Sequence, residues 1–170
     1  MMINWNFKKK YLLGLYRKSI SLIISIFCFV LLFSCNSDVV FEKYEQIPGK
    51  EWKKYGKINF EVEISDTVNF HNLFINIRNL ANYPYKNMFL FIKTTSPNNY
   101  FIKDTFECIL ADDRGKWLGR GLGDIWDNKI LYKENIRFSI TGTYKFEFEQ
   151  AMRIDLPSIE DVGFSIEQIK

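Results

Sequence analysis

The 170-residue chain carries 23 basic and 20 acidic residues, a formal net charge of +3, with three cysteines and a single histidine. Five of the basic residues (Lys8, Lys9, Lys10, Arg17 and Lys18) precede the first acid, Asp38, so the remainder holds 18 basic and 20 acidic residues, net −2. The basic balance of the whole chain is thus no sign of a nucleic-acid partner, and too few Cys and His remain for a zinc site or a disulfide framework.

The first predicted element is the apolar run Ile20 to Phe33, 14 residues long. Crossing about 30 Å of hydrocarbon takes roughly 20 apolar residues in a helix, so the run is short for a permanent span and the right length for the core of a signal peptide. The cationic flank ahead of it is the side retained in the cytoplasm. Leu32-Phe33-Ser34-Cys35 then resembles a bacterial lipobox, with Leu at −3, a small residue at −1 and Cys at +1. On this reading the helical signal peptide, residues 1–34, is removed. Cys35 takes a diacylglycerol and usually a further acyl chain, and two or more chains hold a protein durably in a membrane.

The segment 35–56 reads as the lipidated cysteine and tether, with "NSDVV" a short tether just after Cys35 and "VFEKYEQI" at best a short helix. Residues 57–170 read as one β-domain. In Lys57 to Ile64, Ile58, Phe60, Val62 and Ile64 alternate with Asn59, Glu61 and Glu63, giving one dry and one wet face. Asn72 to Arg78 is a second strand. Asn87 to Thr95 is apolar on both faces over five residues, as a central strand would be. Tyr100 to Leu110 is another long strand. Tyr144, Phe146 and Phe148 alternate with Lys145, Glu147 and Glu149, and "DVGFSIEQI" closes the chain. Turns rich in Asn, Pro, Asp and Gly separate these runs. Six or more strands at hairpin spacing predict an all-β fold, an antiparallel β-sandwich of jelly-roll-like type, with the 16 phenylalanines filling the space between the sheets.

The least ordinary stretch is Asp112 to Asn128. Asp113-Arg114-Gly115 reads as a turn. Gly119, Gly121 and Gly123 alternate through a region that should be extended, which marks bulges or the close approach of another group. Trp117 and Trp126 flank them, with Arg120 and Asp124 between. Two readings stand: a binding surface for glycan or peptide built from Trp117, Arg120, Asp124 and Trp126, or a bulged strand whose tryptophans complete the core. Asp124, Asp127 and Asn128, or Asp112 and Asp113, offer oxygen ligands but lack the spacing of a calcium loop. Cys108 reads as a buried hydrophobe and His71 as a polar residue at a strand start. Carboxylate pairs such as Glu61/Glu63 and Glu147/Glu149 fall on wet faces, and none is singled out as a pair across a cleft. The expectation is a protein with no catalytic residues, no metal and no cofactor.

Four phrases carry a family resemblance: "SCNSDVVFEKYEQIPGKEW", "HNLFINIRNLANYPYKNMFLFI", "KDTFECILADDRGKWLGRGLGDIWDNKILYKENIRF" and "GTYKFEFEQAMRIDLPSIEDVGFSIE". In order and over nearly the whole mature chain, they resemble the gliding motility lipoprotein H (GldH) family of Bacteroidetes. That family usually places a glycine in the turn before its final Asp-Val-Gly, where this chain reads Pro157-Ser158-Ile159. The resemblance implies a non-catalytic envelope lipoprotein of the gliding machinery, linked to type IX secretion. Its implied partners are membrane lipid, through acylated Cys35, and other envelope proteins. Among positions it carries over only the lipidated cysteine. A single acid, Asp38, soon after Cys35 points to the periplasmic face of the outer membrane rather than the cell surface.

Overall fold

The computed structural model describes residues 38–169; the signal peptide and Cys35 lie outside them. Eleven strands run in chain order: β1 (Val39–Gln46), β2 (Glu51–Trp52), β3 (Lys57–Ile64), β4 (His71–Leu80), β5 (Asn87–Thr95), β6 (Phe101–Ile109), β7 (Arg120–Leu122), β8 (Ile125–Ile136), β9 (Gly142–Gln150), β10 (Leu156–Pro157) and β11 (Ile159–Gln168). A five-stranded sheet, β1-β11-β4-β8-β7, packs on a four-stranded sheet, β3-β9-β5-β6, and β2 pairs with β10 in a small side ribbon. Every strand pairing is antiparallel. The expected sandwich is present, with β5 in the interior of its sheet.

Alternation generates the core directly. Lys57–Ile64 buries every second side chain, as its sequence dictates, and Tyr144, Phe146 and Phe148 of β9 do the same beside it. From the facing sheet come Ile75 and Ile77 of β4, and Val162, Phe164 and Ile166 of β11. Phe164 is the hub: its ring centroid lies 4.4 Å from Phe146, 5.4 Å from Phe148, 5.9 Å from Phe60 and 6.1 Å from Phe41.

Two expectations about residues 35–56 are corrected. "VFEKYEQI" is not a helix but most of β1, paired with β11 from Val39↔Glu167 to Gln46↔Asp161. Val40, Phe41, Tyr44 and Ile47 are spaced as one face of a helix, but the open edge of β11 takes up the segment's backbone groups, and tertiary pairing overrides the local pattern. Extended backbone sends Phe41 inward to Phe60 and Phe164, and Tyr44 to the outer face, where Arg78 lies over its ring at 4.0 Å. Gly163 sits beneath that ring; a Cβ there would meet Tyr44 Cδ1 at 2.7 Å. The segment is therefore part of the fold, and the sandwich begins at Val39 rather than at Lys57.

Ser158, in the turn between β10 and β11, adopts φ 62° while its carbonyl accepts from Leu80 N–H at 2.9 Å. A non-glycine residue there carries left-handed strain. Ser158→Gly is expected to raise the unfolding free energy by roughly 0.5–1 kcal/mol, the relieved strain being partly offset by a more flexible unfolded chain. Urea denaturation of the two proteins checks this, and a destabilised glycine variant contradicts it.

Candidate functional site

The tryptophan stretch folds as a short hairpin at one end of the five-stranded sheet. Register pairs Arg120 with Asp127, Gly121 with Trp126 and Leu122 with Ile125. Because side chains alternate across a strand, Gly121 and Trp126 share one face and Arg120 and Asp127 the other. Trp126 lies over Gly121, where a Cβ would come within 3.1 Å of the ring. Its partner Trp117 is 6.4 Å away, packs against the core, and continues through Tyr83 (6.4 Å) to Tyr85 (a further 5.6 Å). Both tryptophans are half-buried. The glycines are thus explained by close approach at Gly119 and Gly121 and by a turn at Gly123, with φ 62°.

Arg120 is exposed on the outer face and lines a groove with Arg78, Leu122, Asp127 and Asp161. There Arg78 reaches Asp127 and Asp161, both at 3.3 Å. Asp124 is exposed in the turn, its carbonyl accepting from Ala81 N–H at 2.9 Å. The structure therefore brings Trp117 and Trp126 together and sets Arg120 on the opposite face from Trp126.

The other candidate ligands are engaged by protein. Asp112 Oδ1 accepts from the N–H groups of Arg114 and Lys116, both at 2.9 Å, closing the expected turn. Asp113 meets Lys86 at 2.7 Å. Asn128 donates to Ile77 O at 3.0 Å and Asn79 Oδ1 at 2.9 Å. Among the described residues no group of three or more His, Cys, Asp or Glu could hold a metal ion. His71 opens β4 fully buried, 5.4 Å from Phe138. Burial pushes the Cys108 thiol up to about 12, which leaves it protonated and unreactive at neutral pH.

The sheet edges differ in how they are protected. β1 carries Glu42, Lys43 and Glu45, and β7 has only three residues. The outer face of β3 is charged and tied to β9, through Lys57–Glu147 and Glu61–Lys145, each at 3.0 Å. β8 extends past β7, but its register slips twice and it carries Lys129, Lys133 and Glu134. Charges, shortness and irregularity all discourage added strands.

β6 is different. Its nine residues pair with β5 in unbroken register, and among the described residues no strand pairs with its far side. Leu110 N–H donates to Lys86 O at 2.8 Å, while Phe89 O accepts from Ala151 N–H on the β9 side at 2.7 Å. Antiparallel alternation then turns the even-numbered residues of β6 toward β5 and aims the N–H and C=O of Lys103, Thr105 and Glu107 outward. Beside this edge, Phe89, Phe91, Phe101 and Ile109 are exposed on the outer face. The inner side is clasped to the other sheet: Asp104 accepts from Tyr132 and pairs with Lys133, both at 2.6 Å. The hydrogen bond from Lys133, with that from Tyr132, holds the Asp104 carboxyl below its usual range. The result is a strand tied to the facing sheet, with an open edge and an apolar flank. Which strand ends a sheet is a property of the assembled topology, so no local sequence signal identified it.

Comparison with known proteins places the chain. The GldH lipoprotein family profile matches residues 39–166. "Gliding motility lipoprotein GldH homolog" of Christiangramia forsetii is 40% identical over 160 residues, covering 89% of this chain and 98% of that protein. "Gliding motility lipoprotein GldH" of Flavobacterium johnsoniae is 37% identical over 147 residues, covering 82% and 91%. Among solved structures, a carbohydrate-binding module specific for non-crystalline cellulose superposes with a TM-score of 0.38 at 11% identity, over 76% of this chain and 72% of that one. So loose an overlap carries no functional weight.

Proposed function

This chain belongs to the GldH lipoprotein family, and from that premise we propose that it is a non-catalytic assembly component of the gliding machinery and of the type IX secretion apparatus linked to it. In this reading acylated Cys35 anchors it in the outer membrane, on the periplasmic face. The sandwich presents β6 to other envelope proteins. The observation that carries the reading is that open edge, nine residues in unbroken register with Phe89, Phe91, Phe101 and Ile109 exposed beside it. A strand edge with an apolar flank is a template for adding a partner's strand: the main chain supplies affinity and the side chains specificity.

The other reading, a glycan- or peptide-binding module using Trp117, Arg120, Asp124 and Trp126, has less support. A stacking platform needs exposed rings, whereas Trp117 packs on the core and Arg120 lies across the sheet from Trp126.

Crosslinking of the tagged, lipidated protein in living cells, followed by mass spectrometry, tests the assembly reading. Components of the gliding or secretion machinery are expected among the products, and Cys35→Ser is expected to abolish their recovery. Recovery of no protein partner by the wild-type chain would sink this reading in favour of the binding module.

A further inference from the structure

With β1 starting at Val39, only Asn36, Ser37 and Asp38 separate Cys35 from the first strand. Four steps of fully extended backbone span at most about 14 Å. In a protein lipidated at Cys35, the end of the sandwich where β1 begins is therefore held within that distance of the Cys35 backbone, from which the acyl chains extend. A tether reaching to residue 56 would have left the domain free to stand off; a three-residue one does not.

The β3–β4, β5–β6 and β8–β9 loops share that end. Gln168 N–H donates to Asp38 O and Ile169 N–H to Phe70 O, both at 2.8 Å, which sets the β3–β4 loop, residues 65–70, beside the start of β1. Ile64 pairs with Gly142, and a Cβ on Gly142 would lie 3.1 Å from the Pro97 ring, so the β5–β6 turn lies there too. These segments expose large apolar side chains: Val40 (46%), Val68 (75%), Phe70 (50%), Tyr100 (68%), Phe101 (52%) and Ile102 (41%). The carboxylate of the β3–β4 loop is turned onto its own backbone, Asp66 Oδ1 accepting from Val68 N–H at 2.8 Å and Asn69 N–H at 3.1 Å. Cations stand close by, with Lys93 Nζ 4.9 Å and Lys103 Nζ 6.0 Å from the centre of the Phe101 ring. Apolar tips with lysines set slightly back are the chemistry of a surface that meets the boundary between headgroups and acyl chains.

We propose that this rim is a second, non-covalent membrane contact: Val40, Val68, Phe70 and Tyr100 enter the interface of the leaflet that holds Cys35, so that the sandwich lies docked on the bilayer. The inference rests on the reading of Cys35 as the lipidated residue. The short tether selects bilayer over protein as the occupant, because a folded partner would have to enter a gap of about 14 Å at most. Docking this end also fixes the orientation in which β6 is presented.

The full-length protein, processed and acylated in its host, is purified in detergent and reconstituted into vesicles of phosphatidylethanolamine and phosphatidylglycerol. It carries an environment-sensitive fluorophore on Val68→Cys or, at the far end, on Ile154→Cys. Cys108 is fully buried and takes no label. With lipids brominated near the headgroup, the probe at 68 is expected to shift to the blue and lose most of its emission, and the probe at 154 to keep its own. Replacing Val40 and Phe70 by Asp is expected to restore emission at 68. Protein that co-floats with vesicles but shows no quenching at 68, or equal quenching at both positions, overturns the docking and leaves the anchor standing. Protein that fails to co-float, as Cys35→Ser must, overturns anchor and docking together.

Discussion

Phe164→Ala is expected to destabilise the domain by about 3–5 kcal/mol, the range for removing a fully buried aromatic side chain. Phe164 is inaccessible to solvent and touches rings from both sheets: Phe41 on its own side, and Phe60, Phe146 and Phe148 across the interface. No single neighbour can collapse into the space, because Phe60, Phe146 and Phe148 are held in ladders of eight and six residue pairs by β3, β9 and β5. With no disulfide among the described residues to limit the unfolded chain, the loss falls on a stability of ordinary size, about 5–15 kcal/mol. A fall in Tm of roughly 10–20 °C is the expected reading by circular dichroism. Phe101→Ala, on an exposed side chain, is expected to leave Tm almost unchanged. A Phe164→Ala protein that melts within a few degrees of the parent would show that the inter-sheet contact is not where the fold's stability is concentrated.

Much of this architecture is readable from alternation, because a two-sided strand writes its burial into every second residue. Lys57–Ile64 is the clearest case, matching its strand at both ends. Asn87–Thr95 was placed correctly inside a sheet by a different signal, a stretch apolar on both faces, although Phe89 and Phe91 on its outer face are exposed. β1 was illegible for a physical reason. Val40, Phe41, Tyr44 and Ile47 satisfy a helical spacing, and only the unpaired edge of β11, more than a hundred residues later in the chain, decides against it. The same holds at the candidate site. Composition singled out Trp117, Arg120, Asp124 and Trp126 as one constellation, yet one step of register puts Arg120 with Asp127 and Trp126 with Gly121, on opposite faces. That step is set by pairing across the hairpin rather than by any residue within it. The open side of β6 depends on which strand ends the sheet, which no segment of sequence states by itself.

Thr105→Pro is expected to leave the domain folded and to abolish recovery of partner proteins by crosslinking, together with gliding where the host cell glides. Thr105 is opposite Phe91, and by alternation its N–H points away from β5. Proline at an edge position whose N–H faces outward deletes no ladder bond within the sheet, so the cost to stability is expected to stay near 1 kcal/mol. What it deletes is a donor in the middle of the open edge, and its ring obstructs an incoming strand. Phe106→Pro, one residue on, is the control. Its N–H faces Leu90 inside the ladder, so its loss costs at least about 1–3 kcal/mol and falls on a side chain that packs against Tyr132 at 5.2 Å. Adjacent prolines should thus separate cleanly, Thr105→Pro losing partners with its Tm retained and Phe106→Pro losing Tm first. If Thr105→Pro keeps its full set of crosslinks, strand addition at β6 is not the mode of docking. The exposed face of Phe89, Phe91 and Ile109 would then have to bind through side chains alone, which Phe91→Glu tests without touching the backbone edge.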